Sequence, residues 1–263
     1  MMAMLERLKG WIKPGSEEEG LANQLDFARI PRHVAVIMDG NGRWARRRNL
    51  PRMEGHRAGA KSVREVVEAC ARTGVSVVTL YAFSRENWKR PKREVNTLWK
   101  LLKEYLKKED KTLIKNKFRL MVIGQREGLP VAARRQLERV EALTRNNTRL
   151  TVVLALNYGG RTEIVDAVKK IMTTGKVSLE ALDEEVFARY LYTSGLPDPD
   201  LLIRTSGEYR ISNFLLWQIA YAEIWITGVF WPDFRKKHFL QALVDYQKRE
   251  RRFGDIRPPS DPA

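Results

Sequence analysis

The chain has one cysteine, three histidines and fewer acidic than basic residues, and each shortage removes a class of protein. Cys70 has no second cysteine to pair with, and its apolar helical neighbours predict a buried, inert thiol. None of these four residues is spaced as a metal ligand, which argues against a structural zinc site. No apolar core followed by small residues is found near the N-terminus, so no secretory signal is read and a cytoplasmic location is expected. One apolar stretch, Phe214 to Trp231, approaches membrane-spanning length, but Asn213, Glu223, Gly228 and Pro232 break it into a predicted helix and strand. Because 48 Lys and Arg outnumber 32 Asp and Glu, the net charge of +16 calls for anionic partners. Nucleic acid, an acidic membrane surface and polyphosphate ligands all satisfy it.

What the chain does have is His33 to Arg48, HVAVIMDGNGRWARRR. Val34 to Met38 is a short, unbroken apolar run, the pattern of a strand buried on both faces. Asp39 ends it, and Gly40 and Gly42 permit a sharp turn that points bare amides at a ligand. Arg43 and Arg46 to Arg48 follow in the first turn of a predicted helix. A carboxylate amid anion-binding groups is accommodated if a cation lies between it and the anion. The hypothesis is a diphosphate held on amides and arginines, with Mg2+ bridging to Asp39. Asp-Gly and Asn-Gly are equally common turn formers, so an empty strand-turn-helix corner is the competing reading.

Strands are predicted at Val34–Met38, Val75–Phe83, Phe118–Ile123, Leu150–Leu156, Leu201–Arg204 and near Glu223–Thr227. Helices are predicted at Gly55–Arg72, Val95–Lys108, Pro130–Asn146, Thr162–Thr173, Asp183–Thr193, from Ser212, and at Lys236–Arg252. The alternation gives an α/β fold: a single domain with a central, mostly parallel six-stranded sheet flanked by helices. The apolar helices Val95–Leu106 and Val131–Leu143 could enclose a hydrophobic channel, or simply pack the core. Residues 1–29 are expected to be an N-terminal helix and linker, 30–254 the catalytic domain, and 255–263 a flexible tail. Met4, Leu5, Leu8, Trp11 and Ile12 share one face of that helix, whose other face is basic; docking on the domain and contact with a membrane surface are the two readings.

Ligands of parallel sheets gather at the carboxyl ends of the strands, and polar clusters recur there. They are Asp39 to Arg43, Ser84 to Arg90, Asn157 to Arg161, and Arg204 to Arg210. Arg204, Arg210 and Ser212 could hold a second phosphate, with salt bridges to Glu208 or Asp200 as the alternative for the arginines. Glu223, isolated in an apolar run, is read as Asp39's partner at Mg2+ or as half of a buried ion pair. His56 could reach the same phosphate as Asp39. Trp44, Phe83 and Trp88 are packing residues whose ring faces could also steady an allylic cation.

The segments HVAVIMDGNGRWA, GHRAG, YAFSRENWKRP, LNYGGRTEI, LIRTSGEYRISNFLLWQIAYAE and WPDF, in this order, resemble the cis-prenyltransferases of the bacterial undecaprenyl diphosphate synthase type. The likeness runs from about Ile30 to Gly254, and the chain lacks the paired Asp-Asp-x-x-Asp motifs of the helical trans enzymes. It implies repeated Mg2+-dependent condensation of isopentenyl diphosphate onto an allylic diphosphate such as farnesyl diphosphate, with cis double bonds. By motif, Asp39 would be the essential metal-associated carboxylate, with Gly40, Asn41, Gly42, Arg43, Arg52 and His56 around the allylic diphosphate. Arg204, Arg210 and Ser212, with Ile211 between them, would bind isopentenyl diphosphate, and Glu223 would complete the metal site. Ser84, Arg85, Glu86, Asn87, Trp88 and Arg90 would line the reacting centre, with Trp44 near the allylic group. Asn87 is the implied proton acceptor, but a neutral amide is a poor base, so orienting a water, or proton transfer to the departing diphosphate, fits better. The resemblance also implies a homodimer, with Arg252-Phe-Gly254 near the partner's site, a lipid product and no nucleic-acid partner.

Overall fold

The computed structural model describes residues 8–249. Met4, Leu5, Arg252 to Gly254 and the tail from Pro258 lie outside the described residues. The six strands β1 (His33–Ile37), β2 (Val77–Ser84), β3 (Phe118–Ile123), β4 (Leu150–Tyr158), β5 (Leu201–Arg204) and β6 (Glu223–Ile226) form one sheet in the order β3-β4-β2-β1-β5-β6. Every neighbouring pair is parallel, so the sheet is more uniform than expected.

All five residues of β1 are buried, because the sheet is covered on both faces. Val34 and Val36 join one apolar cluster with Val66, Leu80, Trp99 and Phe239. Ala35 and Ile37 point the other way, into a second cluster with Tyr158, Phe214 and Leu215. Among the described residues, the helices are α1 (Glu17–Ala22), α2 (Asn41–Arg46), α3 (Arg52–Thr73), α4 (Lys92–Lys115), α5 (Val131–Thr144), α6 (Gly160–Thr174), α7 (Glu184–Ala188) and α8 (Lys236–Gln247). Cys70 is fully buried on α3, as predicted, and burial raises its thiol pKa well above the usual range. Leu8 is buried, and Trp11 and Ile12 pack against the main cluster, which is the docking arrangement for that segment.

Two helical predictions fail. The helix expected from Ser212 is a series of turns, because Ser212, Asn213 and Leu215 adopt left-handed φ values of 50°, 63° and 46°. The helix expected over Asp183–Thr193 ends at Ala188. The chain leaves β1 toward β2 and later returns to β1's other side as β5, so the strand order reverses at β1. Asp39, just past the end of β1, and Arg204, the last residue of β5, flank that crevice.

Candidate active site

A cavity of about 320 Å³ opens at this crevice. The corner after β1 demands glycine: Gly40 has φ 101°, and a Cβ there would stand 2.8 Å from Phe230 Cδ1. The following α2 is held against α3 without space between them, since a Cβ on Gly55 would lie 1.9 Å from the Asn41 carbonyl oxygen. With six residues α2 contributes a small dipole, so most of the positive potential here comes from arginine side chains.

Those arginines alternate with carboxylates. Arg204 Nη2 donates to Asp39 Oδ2 at 2.9 Å, and Arg43 Nη2 lies 3.2 Å from the same oxygen. Arg43 Nη1 also meets Glu208 Oε1 at 2.5 Å, while Glu208 Oε2 accepts from Arg210 at 2.5 Å. Burial opposes ionisation of Asp39. The Arg204 bond, the Gly40 amide at 2.6 Å and the charge of Arg43 outweigh it and hold the carboxyl below its ordinary range. Arg204 is buried, gives Nη1 to Ser212 Oγ at 2.9 Å and to the Arg210 carbonyl, and leaves Nε with no partner. A buried guanidinium N–H without an acceptor is costly, and a phosphate oxygen would satisfy it.

Across the cavity, Glu94 sits between Arg52 at 3.2 Å and Arg90 at 3.1 Å. His56 is placed beside them with Nε2 buried and unpartnered. Burial first, then the charges of Arg90 and Arg52, lower its pKa to about 4, so the imidazole is neutral near pH 7. Asn87 Oδ1 accepts the Ser84 amide at 3.2 Å, which leaves its NH₂ as the group open to a ligand. The rest of the wall is apolar, from Val63, Leu98, Leu101, Leu102 and Leu154.

Of the predicted residues, Asp39, Gly40, Asn41, Gly42, Arg52, His56, Ser84, Asn87, Arg90, Arg204 and Ser212 therefore share one cavity. Arg43 lies in an adjoining recess with Arg46, sharing Asp39, Gly40, Gly42 and Arg52 with the cavity. Arg210 is at the rim, bound to Glu208, as the salt-bridge alternative held. Several others do not face the cavity. Trp44 donates to Asp233 at 2.8 Å under the Arg48 guanidinium; Arg85 reaches Gln125 at 2.8 Å; Trp88 donates to Asn157 at 2.7 Å and packs on Trp99; Ile211 packs on the second core cluster. Glu86 accepts from Asn213 at 3.0 Å. Of the two helices expected to form a channel, α4 lines the cavity, but α5 leaves Val131 and Leu143 exposed and α3 takes its place.

Glu223 does not join Asp39 within one chain. It pairs in register with Leu201 at the start of β5, whereas Asp39 lies beyond the ends of the strands, so the sheet separates the two carboxylates. Glu223 instead accepts from Arg249 at 2.8 Å, which is the ion-pair alternative. Sequence reasoning missed Glu94, whose Arg90–Glu94 spacing of four was the available signal, and Trp231, which lines the cavity while donating to the Gly59 carbonyl at 3.0 Å.

Comparison with known proteins decides the family. Residues 37–254 match the family model described as putative undecaprenyl diphosphate synthase. The chain belongs to this family of prenyltransferases. Among relatives named isoprenyl transferase, one from Heliobacterium mobile is 55% identical over 94% of this chain and 96% of its own length, and one from Clostridium tetani is 52% identical over 89% and 92%. The prenyltransferase fold is shared with a probable undecaprenyl diphosphate synthase from Campylobacter jejuni, at 35% identity and TM-score 0.73. It is shared too with lavandulyl diphosphate synthase from Lavandula x intermedia, solved in complex with dimethylallyl diphosphate, at 34% identity and TM-score 0.84. Each alignment covers 86% of this prenyltransferase and 99% of the other chain.

Proposed function

We propose that this prenyltransferase adds isopentenyl diphosphate repeatedly to an allylic diphosphate, farnesyl diphosphate being the expected starter, and makes a long cis-polyprenyl diphosphate. Undecaprenyl diphosphate, the precursor of the cell-wall lipid carrier, is the expected product. The observation that carries this reading is one cavity that joins charged and polar groups, Asp39, Arg52, His56, Arg90 and Arg204, to an apolar lining that includes leucines from α4. Such a pocket suits a molecule with a charged head and an apolar chain.

In each cycle the allylic C–O bond breaks and the diphosphate departs with the electron pair. The double-bond electrons of isopentenyl diphosphate form the new C–C bond, and a proton is lost from the adjacent carbon. Arg52 and Arg90 hold the departing diphosphate by charge, and neutral His56 can donate Nε2–H to one of its oxygens. Arg204 and Ser212 hold the isopentenyl diphosphate, bringing its double bond to the allylic carbon. Asn87 is a hydrogen-bond donor there, not a base, and the proton leaves to diphosphate oxygen or to water.

The donor set suits Mg2+. Asp39 is an ionised hard oxygen ligand beside the orphaned Arg204 Nε, and one carboxylate with diphosphate oxygens and waters is this ion's usual shell. When bound, Mg2+ would neutralise charge on the leaving diphosphate. Homodimerisation and membrane contact on product release belong to the same reading. The test is incubation with farnesyl diphosphate and labelled isopentenyl diphosphate, with and without Mg2+, followed by sizing of the extracted lipid. A ladder of long products that needs Mg2+ is expected; label that stays water-soluble overturns the reading.

A further inference from the structure

The apolar end of the reaction cavity leads on into a second one. Val63, Tyr105 and Leu154 line both, and beyond them lies a space of about 300 Å³ between α3, α4 and the β3 and β4 side of the sheet. Ala60, Val63, Val67 and Ala71 follow at spacings of three and four, so one face of α3 runs along both spaces, for roughly 16 Å at the helical rise. Leu113, Leu120 and Val152 continue the apolar lining. Polar groups line it farther along: Glu68 and Arg72, paired at 2.9 Å, with Asn116 and Arg149. Arg64 Nε donates to Glu109 Oε1 at 3.1 Å and so ties α3 to α4 along this second space.

Tyr105 also borders a third space, a groove of about 760 Å³, and among the described residues it alone lines all three. The groove is lined mostly by charged side chains, among them Lys61, Glu65, Glu104 and Lys108. An apolar chain is kept out of it by the cost of stripping water from those charges. Tyr105 is half-buried, and burial first, then the charge of Glu109, raises its phenol pKa above the ordinary range, so the ring carries no charge into the passage.

We propose that Tyr105 is a specificity-determining residue: its ring narrows the passage from the reaction cavity into the second one and so sets the length at which the polyprenyl chain stops growing. The inference rests on the repeated condensation proposed above. Asp39 and Arg204 are fixed at the strand ends, so each added unit pushes the apolar tail farther from the diphosphate sites. The favourable course for that tail is along the apolar face of α3, which passes Tyr105. A chain that has reached the ring gains another unit only by displacing it, at the cost of overpacking.

The test is the length distribution of labelled lipid made from farnesyl diphosphate and excess isopentenyl diphosphate, with Mg2+ and one detergent throughout, by the full chain and its variants. Tyr105→Ala removes a ring of about benzene's size, which is roughly the size of one five-carbon unit, so its main product should be longer by about one unit or more. Tyr105→Phe keeps the ring and should keep the distribution. Val63→Phe narrows the same passage from α3 and should shorten the product. Combined with Tyr105→Ala, it should bring the length back toward that of the unaltered chain. Lys107→Ala, on the same helix but lining none of the three spaces, should change nothing. A merely structural role for Tyr105 would lower total label and leave its distribution in place. Should circular dichroism show that Tyr105→Ala or Val63→Phe fails to fold, the other decides. A Tyr105→Ala product no longer than that of the unaltered chain, an equal shift in Tyr105→Phe, or a Val63→Phe product of unaltered length overturns the proposal. Label that stays water-soluble with the unaltered chain refutes the condensation itself, whereas a ladder of unchanged lengths refutes only the role of Tyr105.

Discussion

Asp39 and Arg204 lie at the ends of neighbouring parallel strands and are joined by a 2.9 Å hydrogen bond from Nη2 to Oδ2. Each restrains the other: the guanidinium keeps the carboxylate ionised, and the carboxylate neutralises a cation buried at the core's edge. Asp39→Asn keeps the shape and removes the charge. It should lower kcat by about 100-fold or more with the circular dichroism spectrum unchanged. Arg204→Ala should chiefly raise KM for isopentenyl diphosphate, by about 10- to 100-fold. Steady-state kinetics with each substrate varied in turn distinguishes the two; near-normal kcat in Asp39→Asn contradicts the role assigned to the carboxylate.

Asn213 ties together three parts of the site. Its Nδ2 donates to Glu86, its Oδ1 accepts from the Arg161 amide, and its carbonyl accepts from the Gly160 amide at 2.8 Å. Through Glu86 it fixes the turn bearing Asn87, and it directly follows Ser212, which binds Arg204. Asn213→Ala should cost roughly two- to tenfold in kcat/KM. Combined with Glu86→Gln, the losses should be less than additive. Full additivity would show that the contact carries no coupling.

Stability should fall with acid because two histidines are held neutral. Burial lowers His33 to about 4, against the smaller raising effects of the Pro197 carbonyl and Asp200; burial and then Arg90 and Arg52 lower His56 to about 4. The unfolded chain, with histidines near 6.5, therefore binds more protons between those values. Their contribution is complete above the unfolded pKa and is lost as pH drops through the folded one. Urea midpoints should decline from pH 6.5 toward 4, with a shallower decline for His33→Gln. A midpoint constant over this range, or a slope unaltered in the variant, rules this out.

The close approach of α2 to α3 is a glycine requirement. In Gly55→Ala the new Cβ would overlap the Asn41 carbonyl at 1.9 Å, so backbone must move. Overpacking of this kind costs about 1–3 kcal/mol, and the shift displaces the Asn41 corner, so thermal stability and activity should fall together. A variant with normal melting and turnover would mean that the two helices separate freely.

Much of the fold was legible because buried parallel strands write themselves as apolar runs. β3 over Phe118–Ile123 and β5 over Leu201–Arg204 agree with expectation to the residue. The segment after Ser212 was misread as helix because its apolar composition, Phe214 to Ala222, carries no sign that Ser212, Asn213 and Leu215 turn left-handed. Asp39 and the arginines were legible from strand-end logic. Glu223 was not, since an isolated carboxylate in an apolar run looks alike at either end of a strand, and only register places it beside Leu201. Asn213 and Glu94 act through partners distant in sequence or hidden by ordinary helix spacing, as in the 3.0 Å contact from Asn213 to Glu86.

The most direct test of the central claim is a crystal structure with isopentenyl diphosphate, Mg2+ and a thiodiphosphate analogue of the allylic substrate that cannot ionise. One diphosphate should lie at the Asp39–Gly40 corner with the metal on the Asp39 carboxylate, the other on Arg204 and Ser212, and the apolar tail should run between α3 and α4. Diphosphates bound elsewhere, with the Asp39–Arg204 contact undisturbed and no metal at that carboxylate, would contradict the account.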